Sequence, residues 1–110
     1  MSSDPKFEIV RPTGILDGTQ AQKFRKTVRE CLDNNPEIIL VNLQDVTFID
    51  SSGLGGLVSA LKMVRTAGAK MSICSINDQV RMLFELTSMD RVFKVYPDEE
   101  TFKQKVVDAS

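Results

Sequence analysis

The chain has 110 residues, of which 42% are hydrophobic and 26% are charged, a balance typical of a globular protein with one core. Its 14 basic and 15 acidic residues give a net charge of -1, so nothing in the overall charge attracts DNA or an anionic membrane. The absence of histidine excludes Ser-His-Asp and Cys-His catalysis and most transition-metal sites. Cys31 and Cys74 lie far apart without a CxxC motif, so we expect a fold that needs no metal, cofactor or disulfide.

The chain also lacks the sequence signals of membrane insertion or export. Apolar runs such as residues 38–41 are far shorter than the roughly 20 residues of a transmembrane helix, and the N-terminus lacks the basic and then apolar pattern of a signal peptide. We therefore expect a cytoplasmic protein with one domain over residues 1–110 and a core from about residue 7 to 107.

The first elements are two short β-like runs and a helix. Phe7–Val10 is ended by Arg11 and Pro12, and a second run over residues 13–18 ends in turn residues, so the two are predicted to form an edge hairpin. From Thr19 the apolar residues follow the spacing of a helix that stops at residues 33–36; they are Ala21, Phe24, Val28, Cys31 and Leu32.

The middle of the chain alternates strand, helix and strand. Ile38–Leu43 is almost continuously apolar, which favours a strand covered on both faces, and the run Val46–Ile49 is its expected neighbour. An amphipathic helix follows from about Ser52 to Thr66 and ends near Gly68, and residues 70–74 form a third buried strand.

The last third predicts two more helices and a short strand between them. Asn77 is placed to cap a helix whose inward residues are Val80, Leu83 and Phe84, and a strand covers residues 92–95. Pro97 opens a terminal helix with acidic residues in its first turn, and its inward residues are Phe102 and Val106. The predicted class is α/β, with four to five mostly parallel strands, a mixed edge and about four helices.

The segment that joins the second central strand to its helix carries the polar residues of interest. Asp50, Ser51 and Ser52 precede the helix, where side-chain oxygens cap free backbone N–H groups. A dinucleotide-binding loop that opened at Gly53 would need glycine in place of Val58. A nucleophile elbow at Ser51 would need glycine at position 49 and a base, so we expect no catalytic residue. Two interpretations stay open: a helix cap alone, or a phosphorylation site at the positive end of a helix.

Three segments together resemble a known family. The stretch Val41–Gly55, with its Asp-Ser-Ser-Gly-Leu-Gly motif, is similar to the signature of the anti-sigma-factor antagonists, whose fold is the STAS domain. Gly14–Asp17 resembles the family's Gly-Glu-Leu-Asp turn, with Ile15 in place of the usual Glu, and Val80–Thr87 resembles its third helix. The match extends from about Phe7 to Phe102.

The resemblance implies a switch rather than an enzyme. The unmodified antagonist binds an anti-sigma factor that is also a serine kinase and so frees the sigma factor. Phosphorylation of the motif serine turns it off, and a phosphatase of the PP2C type reverses the modification. By position in the motif the phosphoacceptor is Ser51, with Ser52 as the alternative and the expected structural cap.

The same resemblance implies a partner-binding surface around the motif and a monomer when free. Asp17 matches the turn aspartate that contacts the kinase, although it is equally suited to cap the first helix. The rival hypotheses are a STAS module that binds a small ligand or regulates another enzyme, and, less favoured, the cytoplasmic part of an anion transporter. The predicted partner-binding residues are Asp17, Asp50, Ser52, Gly53, Leu54 and Gly55.

Overall fold

The structure is a computed structural model that describes residues 5–109, with side chains described for residues 5–106. The N- and C-terminal ends of the predicted 1–110 domain therefore lie outside the described residues. In chain order the elements are β1 (Phe7–Val10), β2 (Gly14–Leu16), α1 (Gly18–Leu32), β3 (Ile38–Asn42), β4 (Val46–Ile49), α2 (Ser51–Thr66), β5 (Lys70–Cys74), α3 (Asp78–Leu86), a 3-10 turn (Met89–Arg91), β6 (Lys94–Tyr96) and α4 (Glu99–Ala109).

The strands form two sheets. A four-stranded sheet has the order β1-β3-β5-β6, and β2 pairs with β4 in a separate two-stranded sheet. The predicted α/β class, with mostly parallel strands and four helices, is confirmed.

The predicted edge hairpin is wrong, and with it the mixed edge. β1 pairs with β3 and β2 pairs with β4, and every strand pairing within residues 5–109 is parallel. Pro12 lies in the connection, where its fixed φ and missing N–H oppose a tight hairpin, and Gly14 turns the chain with a φ of 77°. The chain therefore leaves the first sheet after β1 and starts the second.

The predicted pairing of the two central strands is also wrong. β3 lies between β1 and β5, whereas β4 belongs to the two-stranded sheet. Leu43 continues the β3 ladder by donating its N–H to the carbonyl of Cys74, and its own carbonyl accepts the N–H of Val46 at 3.1 Å. This tight turn carries the chain out of the large sheet before β4 begins.

Both faces of β3 are covered, as its apolar sequence predicts. Ile39 and Val41 lie in a core formed with α1, α2 and α3, and Leu40 faces a second core with α4. Phe102 of α4 is fully buried in that second core and packs edge-on against Phe7 and Tyr96, with ring centroids 5.3 Å apart in each pair. The inward residues predicted for the four helices are buried or half-buried.

An ion pair ties α4 to the large sheet. The Arg11 guanidinium donates to both carboxylate oxygens of Glu99, at 2.9 and 3.0 Å, and the side-chain amide of Asn42 donates to the same carboxylate. These hydrogen bonds, that of Arg11 first, hold the pKa of Glu99 below its usual value. The buried Asn42 side chain is thereby satisfied.

Cys31 and Cys74 do not pair with each other, and the last strand begins later than predicted. Both thiols are free, and burial raises the pKa of each. The final strand begins two residues later than predicted, at Lys94, because Val92 closes the 3-10 turn and Phe93 enters the core. None of the helices within residues 5–109 combines the length and the apolar character needed to cross a membrane.

Candidate functional site

The candidate site lies where the two strands of the small sheet end side by side. Leu16 and Ile49 are the last residues of β2 and β4 and pair with each other in the parallel ladder. Asp17 and Asp50 follow them directly, and each begins a helix. The parallel pairing therefore places the N-termini of α1 and α2 next to each other at the carboxyl end of the small sheet.

Each of these aspartates caps its helix. An Oδ1 atom of Asp17 accepts the N–H of Gln20 at 3.0 Å, and that of Asp50 accepts the N–H of Gly53 at 2.8 Å. Asn77 caps α3 in the same way, as predicted, by accepting the N–H of Val80 at 2.9 Å. Removal of such a cap typically costs about 1 kcal/mol.

The expectation that Ser52 caps α2 is wrong. The cap is Asp50, and the helix begins at Ser51, so that both serines lie in the first turn. Their side chains are exposed. Aspartate and serine side chains are about equally good N-caps, so the backbone decides between them. Asp50 has the extended backbone of an N-cap residue, with a ψ of -177°, and therefore caps α2. Ser51 is therefore left as an exposed hydroxyl at the positive end of α2.

Glycines bring α2 into backbone contact with its neighbours. A Cβ atom on Gly53 would lie 1.9 Å from the carbonyl oxygen of Leu16, and one on Gly56 would lie 2.5 Å from the Cβ of Ala21. The two glycines therefore permit close packing of α2 against β2 and α1. Gly55, in contrast, is exposed and has open space where a Cβ would be.

A side chain of α3 holds the other edge of β4. Gln79 accepts the N–H of Ile49 through Oε1 and donates to the carbonyl of Ile49 through Nε2, both at 2.9 Å. Asn77 donates to the carbonyls of Val46 and Thr47, each at 3.2 Å. The Gln79 side chain thus replaces a neighbouring strand at the residue before Asp50, a role that the sequence analysis missed.

The surface beside the turn includes an apolar pair. Ile15 and Phe48 are cross-strand partners in the small sheet and are 55% and 45% exposed. Ile15 stands where the resembling family has Glu, so this chain offers no carboxylate at that position. Two large apolar side chains therefore lie two residues before the capping aspartates.

A groove of about 400 Å³ opens next to Ser51. It runs between α2 and the segment that follows α3, and we call it the Ser51 groove. Its lining residues are Ser51, Leu54, Gly55, Val58, Ser59, Lys62, Thr87 and Met89.

The predicted site residues separate into an exposed and a buried set. Ser51, Ser52 and Gly55 are exposed, and Asp17 and Asp50 are half-buried. The first turn of α1 lies close to Ser52, because a Cβ on Gly18 would be 3.6 Å from the Ser52 Cβ. The buried set is Gly53 and Leu54, which support the turn from below.

The described side chains do not form a metal centre. Across residues 5–109, no three His, Cys, Asp or Glu side chains gather as metal ligands would. What the turn offers chemically is a free hydroxyl, two capping carboxylates and the N-termini of two helices.

Comparison with known proteins places the chain in a family. The STAS domain profile matches residues 2–102, and the chain belongs to the STAS domain family. It is 29% identical over 92 residues to the anti-sigma F factor antagonist of Paenibacillus polymyxa, a match that covers 83% of this chain and 79% of that protein.

Solved structures share the fold. The crystal structure of a Thermotoga maritima protein, provisionally named an anti-sigma factor antagonist, superposes with a TM-score of 0.81 at 31% identity and covers 91% of this chain and 86% of that one. The unphosphorylated anti-sigma factor antagonist SpoIIAA superposes with a TM-score of 0.73 at 17% identity, covering 94% and 91% of the two chains, and a Bacillus structure of its phosphorylated form is also similar, with a TM-score of 0.67.

The contact between Gly53 and Leu16 makes a testable prediction for stability. Gly53→Ala forces the first turn of α2 away from β2 and is expected to lower the free energy of unfolding by about 3 kcal/mol. Gly55→Ala, the matched control in the same helix, has open space and should raise it by up to about 1 kcal/mol. Urea denaturation followed by circular dichroism measures both. Equal effects of the two substitutions would show that the close approach of Gly53 to Leu16 does not contribute to stability.

The double hydrogen bond of Gln79 makes a second prediction. Gln79→Met keeps the length of the side chain but leaves the N–H and C=O of Ile49 without their partner, so a loss of about 1 to 3 kcal/mol is expected. Hydrogen exchange at the Ile49 amide should accelerate more than exchange in β3. Gln104→Met, at an exposed position of α4, is the control and should change stability by less than about 0.5 kcal/mol. Unchanged protection of Ile49 would contradict the bracing role.

Proposed function

We propose that this chain is an anti-sigma factor antagonist, a non-enzymatic protein that changes partners when Ser51 is phosphorylated. The observation that carries the proposal is the exposed Ser51 hydroxyl in the first turn of α2, freed from capping by Asp50. The names of the family relatives support the antagonist function. SpoIIAA, which shares the fold, is known in unphosphorylated and phosphorylated forms.

The turn is suited to accept a phosphate without unfolding. A phosphate carries a charge of about -1.5 to -2 and would lie at the positive end of α2, an interaction worth up to about 1 kcal/mol on an exposed surface. The carboxylate of Asp50 opposes it. Meanwhile the backbone under Ser51 is held by the contact of Gly53 with Leu16 and by the hydrogen bonds of Gln79. Since none of these contacts uses the Ser51 hydroxyl, the modification breaks none of them.

A partner docked over the same turn responds differently. A surface that fits a hydroxyl has no room and no counter-charge for a dianion beside Asp50. Desolvation of the phosphate and its repulsion by nearby carboxylates then cost several kcal/mol, and each 1.4 kcal/mol lowers affinity tenfold. Binding is therefore lost while the fold is kept.

The partner in this proposal is an anti-sigma factor that is also a serine kinase, and a PP2C-type phosphatase restores the hydroxyl. The free protein is a cytoplasmic monomer that needs no cofactor. The exposed hydroxyls and the half-buried carboxylates make direct contacts, and the buried residues shape the turn beneath them. The proposed partner-binding residues remain Asp17, Asp50, Ser52, Gly53, Leu54 and Gly55.

Substitutions at Ser51 test the switch. Ser51→Asp should keep the wild-type circular dichroism spectrum and lose at least about 100-fold in affinity for the kinase, because it adds a charge at the interface. Ser51→Ala should bind but resist phosphorylation by kinase and ATP, measured by intact mass. Ser52→Ala, the matched control one residue away, should be phosphorylated like wild type and should lose far less affinity than Ser51→Asp, because it removes one contact and adds no charge.

Two results would contradict this assignment. Phosphate incorporation into Ser51→Ala but not into Ser52→Ala would move the acceptor to Ser52. Absence of phosphate from the wild-type protein isolated from its own cells, with wild-type affinity retained by Ser51→Asp, would favour a STAS scaffold or sensor module that works without a phosphorylation cycle.

Asp17 requires variants that separate its cap from a partner contact. Asp17→Asn keeps a good capping side chain and should change stability by less than about 0.5 kcal/mol, whereas Asp17→Ala should cost about 1 kcal/mol. If the carboxylate contacts the kinase, both variants lose about 2 kcal/mol of binding, roughly 30-fold in affinity. Calorimetric titration against the purified kinase measures this. Normal binding by Asp17→Asn would leave Asp17 with its capping role alone.

A further inference from the structure

Positive charge is concentrated on two neighbouring helices of a chain whose net charge is -1. α1 and α2 carry six basic side chains and one carboxylate, that of Glu30, so the remainder of the chain has 8 basic and 14 acidic residues. The six basic residues are Lys23, Arg25, Lys26, Arg29, Lys62 and Arg65.

Part of this charge lines a groove that meets the Ser51 groove. Three cations of α1, Arg25, Lys26 and Arg29, lie with Gln22, Ser59 and Met63 around a groove of about 470 Å³ between α1 and α2, which we call the basic groove. Arg25 donates to the Oγ of Ser59 at 3.4 Å. Ser59 also lines the Ser51 groove, together with Lys62. The surface is therefore continuous from Ser51 to the cations.

The fold itself makes little use of these charges. Over residues 5–106 the one salt bridge joins Arg11 to Glu99 at the start of α4, and it involves no cation of α1 or α2. Lys26, Arg29 and Lys62 are exposed. Like charges gathered on one face repel one another and are relieved when an acidic surface covers them.

We propose that the basic groove docks an acidic surface of the same protein partner that contacts Ser51. This inference rests on the proposed function, because the partner is the anti-sigma factor kinase. The charge separation supports it: a positive face on an otherwise acidic molecule orients the chain during its approach to an acidic surface. The positive face that would point toward the partner during this approach includes α2, whose first turn carries Ser51.

The features of the groove favour protein over nucleic acid or membrane. Its lining residues include no aromatic side chain on which a base could stack. The net negative charge outside α1 and α2 repels a polyanion that extends beyond the groove. A small acidic patch on a protein can contact the cations of the groove without approaching the negatively charged remainder of this chain.

The groove and the phosphorylation switch act independently. The α2 residues that line the basic groove, Ser59 and Met63, lie about 12 and 18 Å from Ser51 along the axis of α2, which is more than one Debye length at physiological ionic strength. A phosphate on Ser51 therefore leaves the groove charges unneutralised. Substitutions in the groove should change the rate of association, whereas substitutions at Ser51 change complex stability.

The test compares two triple variants with the same change in net charge. The first is Arg25→Gln with Lys26→Gln and Arg29→Gln, the three cations that line the basic groove. The control is Lys70→Gln with Lys103→Gln and Lys105→Gln, exposed positions outside α1 and α2. Association of each with the purified kinase is measured by stopped-flow fluorescence at about 50 mM and about 500 mM salt. The groove variant should associate about tenfold more slowly at low salt and within about twofold of wild type at high salt, and the control should stay within about twofold at both.

Three outcomes decide the proposal. Equal rates for the groove variant and the control overturn it. Binding of wild type to a DNA duplex or to phosphatidylserine vesicles at physiological salt, lost in the groove variant while kinase association is unchanged, assigns the groove to that polyanion instead. If the groove variant is slow but Ser51→Asp binds the kinase like wild type, the groove stands and the phosphorylation switch fails. Circular dichroism of each variant checks that the fold is intact.

Discussion

The structure of the candidate site depends on one close contact, that of the first turn of α2 with the end of β2. Gly53 allows the helix backbone to approach the carbonyl of Leu16, which also accepts the N–H of Asp50 at 3.4 Å. This contact sets where α2 begins and therefore where Ser51 lies. Because β2 runs parallel to β4 and the two strands end side by side, the same contact also places the start of α1 beside the start of α2. A larger residue at position 53 would separate the two helix N-termini that define the site.

The turn divides its tasks among different residues. Asp50 caps the helix, Gly53 allows the approach to β2, and Gln79 braces the edge of β4. The Ser51 hydroxyl has no part in these tasks. A residue that is modified and restored repeatedly should not hold the fold together, since each modification would then change stability as well as binding. Because the residues that hold the turn differ from the residue proposed to be modified, phosphorylation would change binding without lowering the stability of a marginally stable domain.

Local sequence patterns predicted the elements and most of the core, because periodicity and caps depend on residues close in the chain. Asn77 as a cap and the continuous burial of β3 are examples. The error in strand pairing arises from contacts at longer range, whereas the error in the cap of α2 is local. The hairpin failed because the choice of partner for β1 depends on strands that come later, and Ser52 was preferred as cap because three adjacent residues have similar capping preferences. The Gln79 contact joins α3 to β4 through the fold and leaves no periodic signal.

The family resemblance indicates Ser51 as the proposed acceptor, but it did not describe the surface that surrounds this serine. The exposed pair Ile15 and Phe48 lies on one side of the capping aspartates, and the basic groove lies along the helices that those aspartates begin. In a complex that covered both, the apolar pair would contribute through burial, which changes little with salt, whereas the basic groove would contribute through long-range attraction, which salt screens. A partner that matches both must place an apolar patch and an acidic patch at the correct separation. Fewer partners carry both patches than carry one of them, so the two patches together give more specificity than either patch alone. Neither patch depends on the phosphorylation state of Ser51.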